Sequence, residues 1–162
     1  MARPRKRKRS RQEPPSLRSW LTQLDAAGQL RRVKAEVDWD GEIGALTRIT
    51  LGLGGPALLF ESIKDHQSTR STKFLTASMG NKTQVCLMLG LPPTTSDRAI
   101  VAHLKTVFRK PVKPVLVKSG PVKEHVLRGR QVDLGQFPAP KWHGEDGGRL
   151  HCILARGAPR CR

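Results

Sequence analysis

At 162 residues, with 37% hydrophobic and 4% aromatic side chains and no tyrosine, the chain is long enough for one domain with a modest core and too short for two of ordinary size. The formal charge of +17 sits mostly at the ends: residues 1–11 hold seven Lys/Arg, residues 149–162 hold four Arg, neither stretch has an acid, and residues 12–148 carry only +6. The charge therefore says little about the folded part, and no apolar run approaches the roughly 18–20 residues that a membrane-spanning helix needs.

Met1 to Pro15 reads as a disordered basic arm, because Arg3-Pro4-Arg5-Lys6-Arg7-Lys8-Arg9 repels itself and has nothing to bury. Such an arm suits a solvated leader, or a targeting or phosphate-binding tail with weak, salt-sensitive contacts to nucleic acid. No apolar segment follows it, so it is no secretion signal. The three cysteines, Cys86, Cys152 and Cys161, are odd in number and form no CxxC pair. Reduced thiols and a cytoplasmic setting follow from that usage. His143, His151, Cys152 and Cys161 match no zinc spacing and read as incidental.

Folded sequence begins at Ser16, an N-cap for Leu17, Trp20, Leu21 and Leu24 at helical spacing, closed by Gly28. Leu30 to Val37 reads as a half-buried strand with Val33, Ala35 and Val37 on one face. After the turn Asp38-Trp39-Asp40-Gly41, a second helix carries Ile43, Leu46, Ile49, Thr50 and Leu53 until Gly54-Gly55-Pro56 stops it. Ala57-Leu58-Leu59-Phe60 suits a strand covered on both faces, with Glu61 facing solvent at its end.

Lys64 to Thr72 is polar and reads as a surface loop. Phe74 to Ser78 follows as a strand, Gly80 as its turn, and Asn81 as the cap of a helix bearing Val85, Leu87, Met88 and Leu89. Strand, glycine turn and helix N-terminus in that order form either an ordinary connection or an anion site. Cys86 in this helix reads as a small core residue. A rigid Pro92-Pro93 loop leads to a helix from Ser96 with Ala99, Ile100, His103, Leu104 and Val107 along one side. His103 reads as packed or half exposed. Arg109 to Pro114 exits as an extended basic bridge, and Val115–Val117 and Val122–Leu127 are predicted as short strands around Gly120-Pro121.

Val132 to Gly148 is the most distinctive stretch, joining an apolar approach, Pro138 and Pro140, the rings of Phe137 and Trp142, His143 and an acidic turn closing on Gly147-Gly148. It reads as a buried crossing between two structural units, or as the entrance to a site further along. The fold class is α/β (mixed α+β), with interleaved short helices and strands. Four units follow: a disordered arm over 1–15, a mixed α/β domain over 16–131, the crossing over 132–148 and an atypical basic tail over 149–162.

Four patterns, in order, resemble the N-terminal region of the UbiD family of non-oxidative decarboxylases. They are Leu17-Arg18-Ser19-Trp20-Leu21 through Gly28-Gln29-Leu30; Gly54 through Glu61; the strand and helix ending in Leu87-Met88-Leu89-Gly90; and Val132-Asp133-Leu134 with Phe137 to Pro140 and Asp146-Gly147-Gly148. The resemblance covers roughly residues 16–149. It implies an N-terminal α/β domain leading into a flavin-binding domain with a split β-barrel. It also implies prenylated FMN held with a divalent metal and potassium, and an arginine and two glutamates acting on an aromatic or α,β-unsaturated carboxylic acid.

In the family those residues follow the Asp-Gly-Gly turn. Hence no catalytic, cofactor-binding or metal residue is assigned to this chain, and no cofactor is expected for it alone. Leu150 to Arg162 departs from the family's continuation and reads as a truncation or frame change. The expectation is an N-terminal fragment that keeps the fold and lacks catalysis, with homo-oligomers or docking on a complete homologue through residues 130–148 as partner modes. The alternative is a basic, non-catalytic module that binds nucleic acid or another acidic partner through its tails.

Overall fold

A computed structural model describes residues 16–120 and 123–143. The predicted arm at 1–15, the end of the crossing and the tail at 149–162 lie outside the described residues. Seven elements run in order: α1 (Leu17–Ala26), β1 (Leu30–Val37), α2 (Glu42–Gly52), β2 (Ala57–Ile63), β3 (Phe74–Thr76), α3 (Lys82–Leu89) and α4 (Asp97–Phe108). The strands form one sheet in the order β1-β2-β3, with β1 parallel and β3 antiparallel to the central β2.

The central position explains the composition of β2. Ala57, Leu58, Leu59 and Phe60 are all buried, as a strand covered on both faces requires. Phe60 forms a core cluster with Val37, Ile43, Leu58 and Ile63, against which Val33, Trp39, Leu46 and Phe74 pack. The strand runs to Ile63 rather than ending at Phe60, because Ser62 and Ile63 stay paired with Glu36 and Val37. In β1 the predicted alternation fails at Ala35, which is exposed. The register shifts between Val33 and Glu36, so β1 holds one more residue than its partner there and Ala35 falls in the bulge, while Val37 beyond it is buried as predicted.

The caps are as the residue types predict. Ser16 accepts from Ser19 N, Asn81 from Gln84 N and Ser96 from Ala99 N, and Gly90 closes α3 in the left-handed conformation at φ 67°. The strand predicted over Phe74–Ser78 ends at Thr76, because Ala77 turns the chain at φ 53°. In α4, Ile100 is buried and His103 and Leu104 half-buried, while Ala99 and Val107 face outward. The strands predicted at 115–117 and 122–127 are absent among the described residues. Val115 (83% exposed), Leu116 (100%) and Val117 (65%) pair with neither edge of the described sheet and stay uncovered.

Candidate functional site

The stretch singled out in the sequence folds back over the domain as a strap, residues 132–143. Asp133 shapes its start, accepting from Gly135 N at 2.9 Å and from Gln136 Nε2 at 3.1 Å. Ser71 N then donates to Gln136 O at 3.2 Å, which fixes the strap to the loop after β2. Pro138 and Pro140 are buried; lacking N–H groups, they leave no donor behind when they lose water. Lys141 completes the docking at the β1–α2 turn. It bridges to Asp40, its N–H donates to Trp39 O at 3.0 Å, and its Nζ lies 3.4 Å from Asp40 Oδ1.

That turn is itself held rigidly. Asp38 Oδ1 accepts from Asp40 N at 2.9 Å, Asp38 Oδ2 from Lys64 Nζ at 2.7 Å, and Asp38 N donates to Glu42 Oε2 at 2.7 Å. The Lys64 ammonium, helped by Asp40 N–H, holds the Asp38 carboxyl below its ordinary range, and Asp38 raises Lys64 in return. Between the strap and α2 lies an open groove of about 490 Å³, lined by Gly41, Gly44, Ala45, Thr47, Arg48, Leu51, Trp142 and His143. A smaller hollow of about 230 Å³ separates Phe137 and Asp133 from Trp39 and His66.

The groove offers an indole, a guanidinium and an imidazole, which suit an aromatic ring or a carboxylate. Its buried hydroxyl, Thr47 Oγ1, is committed to Ile43 O at 2.7 Å and lies 3.0 Å from Thr76 Oγ1. No paired nucleophile and base lines it. Phe137 is 45% and Trp142 42% exposed, so both rings are half-covered by the docking.

Of the two readings of the β3–α3 turn, the geometry favours the ordinary connection. Gln84 Oε1 takes the donors of Gly80 at 2.7 Å and Asn81 at 3.2 Å, and Asn81 Oδ1 takes that of Gln84 at 2.9 Å. Asn81 Nδ2 donates to Gln29 Oε1 (3.0 Å), Gly54 O (3.3 Å) and Gly55 O (2.9 Å), tying the turn to its neighbours. A capping box therefore takes three of the N–H groups at this turn, those of Gly80, Asn81 and Gln84, as in an ordinary connection. Gln84 is fully buried and its Nε2 meets no acceptor among the described residues.

Glu61 also departs from expectation. It is mid-strand, 18% exposed, and accepts from Arg32 Nη1 at 3.1 Å and Lys73 Nζ at 3.2 Å, while Arg32 reaches Asp25 at 3.2 Å. Lys73 first and Arg32 second draw the Glu61 carboxyl down, and Asp25 and Glu61 raise Arg32. Cys86 is buried, as a small core residue should be. His143 is exposed, while His151, Cys152 and Cys161 lie outside the described residues. No group of three or more His, Cys, Asp or Glu able to hold a metal occurs among the described residues. No helix there is long and apolar enough to cross a membrane.

Sequence reasoning missed Gly44, Arg48 and the buried His66, whose Nδ1 lies 3.0 Å from Lys64 O. One signal was present: a glycine inside an amphipathic helix, where alanine is preferred by about 1 kcal/mol.

Residues 21–104 match the 3-octaprenyl-4-hydroxybenzoate carboxy-lyase N-terminal domain. The chain is 39% identical over 140 residues to the pyrrole-2-carboxylic acid decarboxylase of Pseudomonas aeruginosa, covering 82% of this chain and 28% of that protein. Its fold is similar to the open form of the vanillic acid decarboxylase of Sedimentibacter hydroxybenzoicus, with a TM-score of 0.71 and 34% identity over 81% of this chain and 28% of that one. It is also similar to an evolved dimeric form of the UbiD-class enzyme HmfF from Pelotomaculum thermopropionicum in complex with prFMN, with a TM-score of 0.65 and 31% identity over 79% and 28% of the two chains. The chain thus spans just over a quarter of the length of these relatives.

Proposed function

The chain belongs to the UbiD family of carboxy-lyases, matching its N-terminal domain, and we propose that it is the supporting domain of a decarboxylase of aromatic or α,β-unsaturated carboxylic acids. The match of residues 21–104 to that domain carries this reading. Relatives named as pyrrole-2-carboxylic acid and vanillic acid decarboxylases support the substrate class. No finding favours the nucleic-acid alternative.

The described residues do not fit the flavin cofactor of the family. The one helix N-terminus suggested for an anion has three of its N–H groups taken by its own capping box, and the α2 groove shows no cluster of carboxylates or imidazoles for the accompanying metal. We assign no step of the reaction to them. Their part is to hold the sheet, the Asp38–Lys64 turn and the strap in place, so that whatever follows residue 143 starts from a fixed point. Units over 16–131 and 132–148, the second as the crossing into a flavin-binding domain, remain part of this proposal.

The test uses the purified chain with prenylated FMN, a divalent metal and potassium, and pyrrole-2-carboxylate, vanillate and cinnamate as substrates. No release of carbon dioxide above a buffer control is expected, since no described residue is assigned the proton transfer, the substrate carboxylate or the cofactor that would lower the barrier. Residues 16–143 grafted in place of the matching segment of the pyrrole-2-carboxylic acid decarboxylase should give a chimaera that still decarboxylates. Turnover by the isolated chain, or a folded chimaera with none, overturns the reading.

A further inference from the structure

Gly44 stands where backbone geometry gives no reason for glycine. It is a buried residue near the start of α2, its φ lies outside the left-handed region, and a glycine in a helix costs about 1 kcal/mol relative to alanine. What distinguishes the position is the strap above it. A Cβ built on Gly44 would lie 3.4 Å from Trp142 Cε3, 3.5 Å from Lys141 O and 3.7 Å from Trp142 Cα. A methyl group would make ordinary contact there, and a branched side chain would have to enter the space the indole and the Lys141 carbonyl occupy.

We propose that Gly44 is the seat and Trp142 the catch of a releasable latch, and that their contact, more than the Lys141–Asp40 ion pair, decides whether the strap stays down. The ion pair is a weak candidate for that task. Its atoms are 3.4 Å apart, the two side chains are 28% and 52% exposed, and pairs of that kind are screened by salt and contribute little. The Lys141 N–H bond to Trp39 O lies one residue before Trp142, so its opening reports on whether the strap beside the ring stays down. Trp142 is 42% exposed and its Cε3 lies 3.4 Å from where a Cβ on Gly44 would be, an apolar contact that salt screens less than an ion pair. The latch fixes the position of residues 141–143 against α2. Its role as a hinge between domains rests on the reading above, whereas the latch itself does not.

The experiment is hydrogen exchange at the Lys141 amide in the full chain, with the amides of β2 as an internal reference for folding. Exchange through local opening follows the open population, so a tenfold loss of protection reports a tenfold rise in opening. Trp142→Ala and Gly44→Val should each lower protection at Lys141 by about tenfold or more, at unchanged β2 protection. Gly44→Ala should stay within about twofold of the parent, and Asp40→Asn within about threefold. If Gly44→Val also loses β2 protection, Trp142→Ala against Asp40→Asn decides. An Asp40→Asn effect equal to or larger than that of Trp142→Ala, or a Gly44→Ala effect as large as either, overturns the latch. Decarboxylase assays do not bear on this readout, so a failure of the family reading and a failure of the latch are separately visible.

Discussion

Residues 16–108 and residues 109–143 use the same apolar side chains to opposite ends. In the first region Leu24, Ile43, Phe60 and Ile63 are fully buried around a three-stranded sheet. In the second, Val112 is 93% and Leu116 100% exposed, and the only regular structure described is two short 3₁₀ turns. Hydrophobic sequence becomes core only where chain neighbours can cover it. The first region meets that condition within itself. The second meets it mainly in the strap, where Pro138 and Pro140 are buried and Trp142 is half-covered beside α2.

The sharpest way to break this contrast is to empty the first region. Phe60→Ala removes a ring with no solvent exposure from the centre of β2, and such truncations cost about 3–5 kcal/mol. That is most of the stability of a small domain, so denaturant unfolding should show a chain unfolded or close to it. A loss below ~1 kcal/mol would mean that the sheet is not the core.

Next in size is Asn81→Ala, which tests how much of the first region is held by polar ties between elements. The variant loses the α3 cap and the bonds to Gln29, Gly54 and Gly55 that join three loops. A loss of about 2 kcal/mol is expected, at the upper end for a cap, because partly buried acceptors are left without donors. Asn81→Asp keeps the cap and removes the Nδ2 donor, so its intermediate stability would separate the two contributions.

Acid gives a smaller, graded effect confined to surface pairs of the first region. Asp38 and Glu61 have folded pKa values below their unfolded ones, so their contribution is complete above the unfolded carboxylate range, roughly pH 4, and is lost as pH falls through the folded values. Lys64 is raised, so its share is complete below about pH 10 and is lost as pH climbs past that. Unfolding curves at pH 7, 5, 4 and 3 should decline most over the last steps. Glu61→Gln should flatten that decline, and an unchanged profile would show that the Arg32–Glu61–Lys73 network is idle in solution.

The line between the two regions also separates what was legible from what was not. Ser16, Asn81, Ser96 and Gly90 mark helix ends by chemistry internal to a few residues, and those ends lie where their types place them. The span of β1 was readable, but the exposure of Ala35 was not, because a bulge is a property of two paired strands. Glu61 was misplaced for a similar reason: Arg32 and Lys73, which keep it mid-strand, come from 29 residues before and 12 after. Val115–Val117 has the residue types of a strand but pairs with neither edge of the described sheet, and composition does not reveal that. The family pattern was readable because it lies in spaced local words such as Gly54 to Glu61. The α2 groove was not, since Gly44 and Trp142 are far apart in sequence and meet only through the strap.

The smallest expected effect makes the comparison quantitative. Leu116→Ser in the second region exchanges a fully exposed leucine for a polar residue of a type loops favour. Folded-state contacts cannot be lost where none of the side chain is covered, so unfolding free energy should change by less than ~0.5 kcal/mol. The apolar surface removed does matter for association, because exposed valines and leucines in series are what other molecules bind. Sedimentation at rising concentration should therefore show weaker self-association for Leu116→Ser than for the parent at equal stability. If the substitution instead destabilises the monomer by 1 kcal/mol or more, Leu116 is covered in solution, and the difference between the two regions is smaller than their exposures state.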